Sequence, residues 1–250
     1  MAVISILSGK GGVGKTTITS NIATAIANEF KRKVIILDTN VTSSHIRLHF
    51  GMHEEMKNTL KDVIRDEDML EEATYSSEMT GVNIVPSPES LKGLDLDKLR
   101  NLASHLAASE YNYVIIDSAP GFRENTENVI RASDKIVIVT NPYLPDVSDS
   151  LKLMELVEKN RKEAIVVVNK VRGKKYEMTE AQIKKMLDIK DFVKIPEDEK
   201  VPESISHGVP VTVFAKGSKV SMALKKLAGQ LIGEEYKPSL ADRVKWFFGA

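Results

Sequence analysis

Short apolar runs punctuate the chain at residues 3–7, 34–37, 82–85, 114–116, 136–139 and 165–168. Runs this brief, with little polar alternation, predict strands buried on both faces. Between them the apolar positions recur at helical spacing, from Thr16 to about Phe30 and over residues 96–108, 148–159 and 220–231. The alternation predicts an α/β fold: a three-layer, doubly wound arrangement around a mostly parallel sheet. Such sheets bind ligands at the carboxyl ends of their strands, and the first strand-to-helix turn usually does the binding.

That turn reads Gly9-Lys10-Gly11-Gly12-Val13-Gly14-Lys15-Thr16. It satisfies G-x-x-x-x-G-K-[ST] in the required context, after a strand and at the start of a helix. Glycines let successive backbone N–H groups converge on phosphates, and the helix start adds the positive end of its dipole. Lys15 is placed to neutralise the β and γ phosphates of ATP, and the Thr16 hydroxyl to ligate Mg2+. The bland alternative is a glycine-rich turn that holds nothing; strand, loop, lysine, threonine and helix in register argue against it.

Composition narrows the setting. With 250 residues, 42% apolar and 28% charged, the chain has the make-up of a globular fold, and one main domain is expected over residues 1–232. A polar linker at 233–238 and a short separate element at 239–250 complete it. Thirty-five basic residues balance 35 acidic ones, so no global field draws the chain to nucleic acid or an anionic surface. Cysteine is absent, which excludes disulfides and thiolate metal centres and fits a reducing cytosol. The N-terminus has no export signal, and no stretch approaches the roughly 20 apolar residues of a spanning helix. Any membrane contact is therefore expected at the surface.

The run Lys10-Gly11-Gly12-Val13-Gly14-Lys15-Thr16-Thr17 resembles the deviant Walker A motif of the MinD/ParA family. By that resemblance Gly11 to Thr17 hold the nucleotide. Lys10 reaches the ATP of a partner subunit, so an ATP-dependent homodimer is implied; taken alone, an extra loop lysine is a solvated charge. Tyr113-Val114-Ile115-Ile116-Asp117-Ser118-Ala119-Pro120-Gly121 looks like the family's Walker B strand and switch II. Asp117 would then hold Mg2+ through water, and Gly121 would meet the γ-phosphate through its N–H, although an aspartate at a strand end is also a common cap. Val166-Val167-Val168-Asn169-Lys170 resembles the adenine-binding segment, where the Asn169 amide offers a donor and an acceptor to the base. Ile195-Pro196-Glu197-Asp198, followed by Val201-Pro202-Glu203-Ser204, resembles the loop and helix that close over it, with Pro196 and Asp198 at the base. Outside the resemblance, such residues are ordinary structural punctuation.

One position departs from the family. Where Asp-x-Asp is usual, the chain reads Asp38-Thr39-Asn40. Asn40 occupies the place of the carboxylate that orients the attacking water, and an amide cannot accept that proton. A neutral amide can still align water, so slow hydrolysis and a long-lived ATP state are expected. Asp38 either arranges the Mg2+ shell or caps its strand.

At helical period the final segment puts Leu240, Val244, Phe247 and Phe248 on one face, flanked by Arg243 and Lys245, with Trp246 beside the stripe. It resembles the amphipathic membrane-targeting tail of the MinD branch and points to an anionic bilayer; packing on its own domain or on a partner is the alternative. The resemblance, with these features, implies a MinD-like, cytoplasmic, peripheral-membrane ATP switch that recruits protein partners in cell division, motility or polarity. A ParA-type DNA partitioner is the second class, carried by the basic stretch 170–175, with nucleic acid the less favoured ligand. A non-hydrolysing ATP scaffold is the third. Relatives that depend on cysteine ligands are disfavoured.

Overall fold

The computed structural model describes residues 2–41, 45–54, 56–90, 98–108, 110–122 and 124–238. Eight strands form one sheet: β1 Ala2–Leu7, β2 Val34–Asp38, β3 Tyr75–Ser77, β4 Val82–Val85, β5 Tyr113–Asp117, β6 Lys135–Thr140, β7 Ala164–Val171 and β8 Val193–Pro196. Their order is β3-β4-β2-β5-β1-β6-β7-β8, and every pair is parallel except β3 with β4. The helices are α1 Lys15–Asn28, α2 Leu60–Arg65, α3 Lys98–Ala108, α4 Glu124–Ala132, α5 Leu144–Lys159, α6 Glu180–Leu187, α7 Lys200–Ser206, α8 Val211–Phe214 and α9 Lys219–Ile232.

Neighbouring residues of a strand face opposite layers, which is why the central strands tolerate no polar alternation. Val3 and Leu7 of β1, with Ile35 and Leu37 of β2, meet Leu99 and Leu102 of α3, Ile130 of α4 and Leu153 of α5. Ile4 and Ile6 point the other way, onto Ile18, Ile22 and Ile26 of α1 and Leu224, Leu227 and Leu231 of α9. Each fully buried branched side chain contributes about 1.5–3 kcal/mol, so the two layers fix which face each helix covers. The three-layer expectation holds.

Differences from the sequence reading have local causes. Edge strand β3 is only Tyr75-Ser76-Ser77, and β8 carries Lys194 among Val193 and Ile195, so neither gives an apolar run. Helix α5 begins at Leu144 rather than Ser148, because Pro145 suits a first turn. Helix α6 went unread although Thr179 and Gln182 form a capping box.

The linker is not a free tether at its start. After Gly233 ends α9 with a φ of 75°, Glu234 pairs with Arg32 at 2.8 Å, and the Tyr236 ring stands edge-on to Phe30. Lys225, 1% exposed, reaches Glu29 at 2.8 Å and lies over the Tyr236 ring. The chain thus stays on the α1–α9 layer through Tyr236.

Candidate functional site

Central strand β1 is flanked by β5 and β6, so the loop from Ser8 to Gly14 emerges at the middle of the sheet's carboxyl edge. Two of its glycines are sterically obligatory. A Cβ on Gly9 would lie 2.7 Å from that of Asp149. Gly14 has a φ of 97°, and a Cβ there would sit 2.3 Å from Asn169 Nδ2. These contacts explain two fixed positions of the motif without reference to a ligand.

Helix α1 follows directly and aims its first turn at β5. Lys15, 6% exposed, places Nζ 3.2 Å from Asp117 Oδ1. Thr16 Oγ1 donates to Asp117 Oδ2 at 2.8 Å, and Thr19 Oγ1 to Asp117 Oδ1 at 3.0 Å. Three donors therefore satisfy a carboxylate that is only 1% exposed. With its proton given to Asp117, the Thr16 oxygen keeps its lone pairs for a cation. A hard divalent ion such as Mg2+ fits this oxygen set, with Thr16 and Asp117 as its protein contacts. Strand register places Asp38 directly across from Asp117. Asp38 is fully buried, and its Oδ1 accepts the Asn40 N–H at 2.8 Å. Asn40, rather than Asp38, lies on the wall of the cavity.

That cavity, of about 440 Å3, begins at Lys10, Gly11, Gly12, Gly14, Lys15, Thr16 and Thr17. It continues to Asn169, Pro196 and Asp198, with Val201, Val220 and Leu224 giving an apolar end suited to a flat base. Of the residues expected at the nucleotide, Gly11, Gly12, Gly14, Lys15, Thr16, Thr17, Asn169, Pro196 and Asp198 line this cavity, whereas Val13 and Gly121 do not. Val13 is buried beneath the loop. Asn169 Nδ2 already donates one proton to Val13 O at 2.8 Å, which leaves its carbonyl and its second N–H for a base. The Gly121 N–H donates to Ser8 O at 2.9 Å, so in this conformation it is engaged with the loop itself. Lys10 is half exposed, with Nζ 3.0 Å from Asp146 Oδ1, and Asp146 Oδ2 accepts from Asn141 Nδ2 at 3.1 Å. Within one chain the lysine is held back by its own α5. Leu240, Val244, Trp246, Phe247 and Phe248 lie outside the described residues.

Several site residues escaped the sequence reading. Thr19 lies one turn beyond Thr16, a spacing that was legible. Asp146 carries no motif, and Lys170 was read only beside Asn169 and in the basic stretch; the contacts of both join segments more than a hundred residues apart. His49, on a short 3₁₀ turn at Ile46–Phe50, also reaches the wall, with Nδ1 3.3 Å from Ser20 Oγ. Its surroundings leave it 6% exposed, and burial lowers its pKa to about 4 against the opposing pull of Asp117. The basic stretch is partly spent internally: Lys170 donates to Gly12 O, and Arg172 pairs with Glu197, its Nη2 donating to Oε1 at 2.8 Å.

A glycine loop, a lysine–threonine pair and a helix start at the centre of a parallel sheet, beside a recess shaped for a base, define the P-loop NTPase class. Residues 1–169 match the family model described as an AAA domain, and the chain belongs to that family, within its MinD/ParA group of deviant Walker A proteins. It is 31% identical over 260 residues to an uncharacterized ATP-binding protein of Methanocaldococcus jannaschii, covering 98% of this chain and 97% of the relative. Among solved structures it is similar to the septum site-determining protein MinD of Pyrococcus horikoshii, complexed with Mg-ADP. That match has a TM-score of 0.81 and 27% identity over 92% of this chain and 95% of the other. It is also similar to the MinC:MinD cell division complex of Aquifex aeolicus, at a TM-score of 0.85 and 26% identity over 96% of this chain and 99% of the other.

Proposed function

We propose that this protein binds Mg-ATP in the cavity at the phosphate loop and works as an ATP-dependent switch at a membrane surface. The observation that carries the reading is the convergence of Lys15, Thr16 and Thr19 on buried Asp117, beside a cavity that Lys15 and Thr16 line together with Asn169, Pro196 and Asp198. The triphosphate replaces Asp117 as the partner of Lys15, and Mg2+ at Thr16 and Asp117 offsets its remaining charge. Asp38, one strand over and in register with Asp117, helps to arrange the Mg2+ shell.

Two copies then meet across the loop, each Lys10 leaving Asp146 for the partner's nucleotide. The similar MinD solved in complex with MinC supports recruitment of a protein partner. Domain 1–232 makes the switch, and the amphipathic segment 239–250 lies on an anionic bilayer, on the cytoplasmic face. Pairing brings two tails together, and tethering raises avidity by roughly 10²–10⁴ without a new contact. Among the described residues no helix is long and apolar enough to cross a membrane. Asn40 on the cavity wall aligns water without taking its proton, so hydrolysis is slow and the ATP state persists. A ParA-type role on DNA is weaker, because Lys170 and Arg172 of the basic stretch are already paired within the chain.

Three measurements test the proposal. Calorimetry is expected to give Mg-ATP uptake that Lys15→Ala abolishes; uptake that survives the change refutes the site. Liposomes of anionic lipid are expected to pellet the protein with ATP more than with ADP, and Phe247→Glu to remove the difference. Turnover is expected to rise about tenfold or more in Asn40→Asp; equal rates remove the slow-switch reading, and no turnover in either protein favours the non-hydrolysing scaffold.

A further inference from the structure

Strand β7 is irregular where it passes the phosphate loop. Val168 is in register with Lys194 and Val171 with Pro196, so β7 spends one residue more than β8 between those pairs. The extra residue makes a β-bulge at Asn169-Lys170, and Lys170 sits there with a φ of 56°. A long side chain in the left-handed region is strained, and such strain persists only where the surroundings impose it. Glycine would take the same conformation freely.

The bulge has a specific effect. Consecutive residues of a regular strand point to opposite faces of a sheet. Here both side chains end on the phosphate loop: Asn169 Nδ2 donates to Val13 O at 2.8 Å, and Lys170 Nζ donates to Gly12 O at 2.9 Å. Two successive carbonyls of the loop are therefore pulled toward β7. In a planar trans peptide the C=O of one residue and the N–H of the next are antiparallel. Pinning Gly12 O thus turns the Val13 N–H away from β7, and pinning Val13 O does the same for the Gly14 N–H. Positive φ values of 80° at Gly12 and 97° at Gly14 let the loop accept this alternation. Successive amides turned to one side are what an anion-binding nest requires.

We propose that Lys170 is a positioning residue for the nucleotide site: its ammonium pre-orients the Val13 amide toward the phosphates by holding the Gly12 carbonyl. The proposal rests on the phosphate-binding reading given above. It gives Lys170 a role through the loop rather than as a solvated member of a basic stretch, and it accounts for a lysine where glycine would relieve the backbone.

The test compares wild type with Lys170→Gly and Lys170→Met. Glycine removes the ammonium and the strain, whereas methionine removes the ammonium and keeps the strain. Three quantities are read: melting temperature without nucleotide, affinity for Mg-ADP by calorimetry, and amide hydrogen exchange of residues 12–14 without nucleotide. Lys170→Gly is expected to melt at or above wild type, since the strain is gone, while both variants lose affinity roughly tenfold, the worth of one charge-assisted hydrogen bond. Exchange in the loop is expected to speed up in both, with that of α1 beyond Ser20 unchanged. A Lys170→Met protein that keeps wild-type affinity and loop exchange overturns the proposal. So does lost affinity with unaltered loop exchange, which marks a direct charge contact, or a Lys170→Gly melting temperature that falls along with affinity, which marks a general structural role. If wild type itself takes up no Mg-ADP, the nucleotide reading fails, and loop exchange alone then decides whether Lys170 braces the loop.

Discussion

Replacing His49 by leucine isolates one buried titratable group. The imidazole is 6% exposed, rests on α1 through Ser20 Oγ, and faces Asp117 and His45 electrostatically. Burial, the largest cause, lowers its pKa from 6.5 to about 4; the charge of Asp117 opposes the shift and His45 adds to it. The sign follows from proton uptake. Above pH 6.5 both folded and unfolded chains are neutral at this residue, and it contributes no pH dependence. Between pH 6.5 and about 4 the unfolded chain takes up a proton that the folded chain refuses, so stability falls as pH falls. Between pH 7.5 and 5.0 the cost is about 2 kcal/mol. Leucine fills similar space, and Ser20 keeps its bond to Thr17 O at 3.0 Å, so the variant adds no orphaned hydroxyl. Urea denaturation followed by circular dichroism at the two pH values reads the effect. The loss of stability on acidification is expected to be about 2 kcal/mol smaller in His49→Leu. An identical loss in both proteins refutes the argument that burial holds this imidazole neutral.

Three further outcomes follow from single contacts. Gly14→Ala combines a forbidden φ with a 2.3 Å approach to Asn169 Nδ2, and is expected to cost about 1–3 kcal/mol in urea denaturation and to weaken Mg-ATP uptake. Asp146→Asn removes the charge that holds Lys10 at 3.0 Å, so sedimentation velocity with ATP is expected to find pairing at a roughly two- to fivefold lower protein concentration. Glu29→Gln strands the 1% exposed Lys225 ammonium and is expected to cost about 3 kcal/mol, whereas Lys225→Met leaves only the partly exposed Glu29 and is expected to cost under about 1 kcal/mol; equal costs in thermal melts would show that the ion pair is not what matters there.

Much of this protein was legible along the chain because the forces involved are local. The period of the apolar positions separates strands from helices, and the phosphate loop is one contiguous segment whose glycine, lysine and threonine spacing carries its chemistry. Edge strands β3 and β8 escaped because an edge buries too little to demand an apolar run. Asn40 and Asp38 were both read at the site, yet only register with β5 decides that Asp38 lies under it while Asn40 lines it. Asn169 and Asp117 were read at the site, but which atoms of the loop each side chain holds was beyond the sequence. Lys10 finds Asp146 and Gly12 finds Lys170 across separations of 136 and 158 residues, and His49 reaches Ser20 from a turn without a motif. Such pairings depend on the burial of whole layers, which sets strand order and register and so brings these distant side chains together. A contiguous motif thus announces the phosphate loop and its first residue, whereas its contacts with Asp146, Asn169 and Lys170 exist only once the layers are packed.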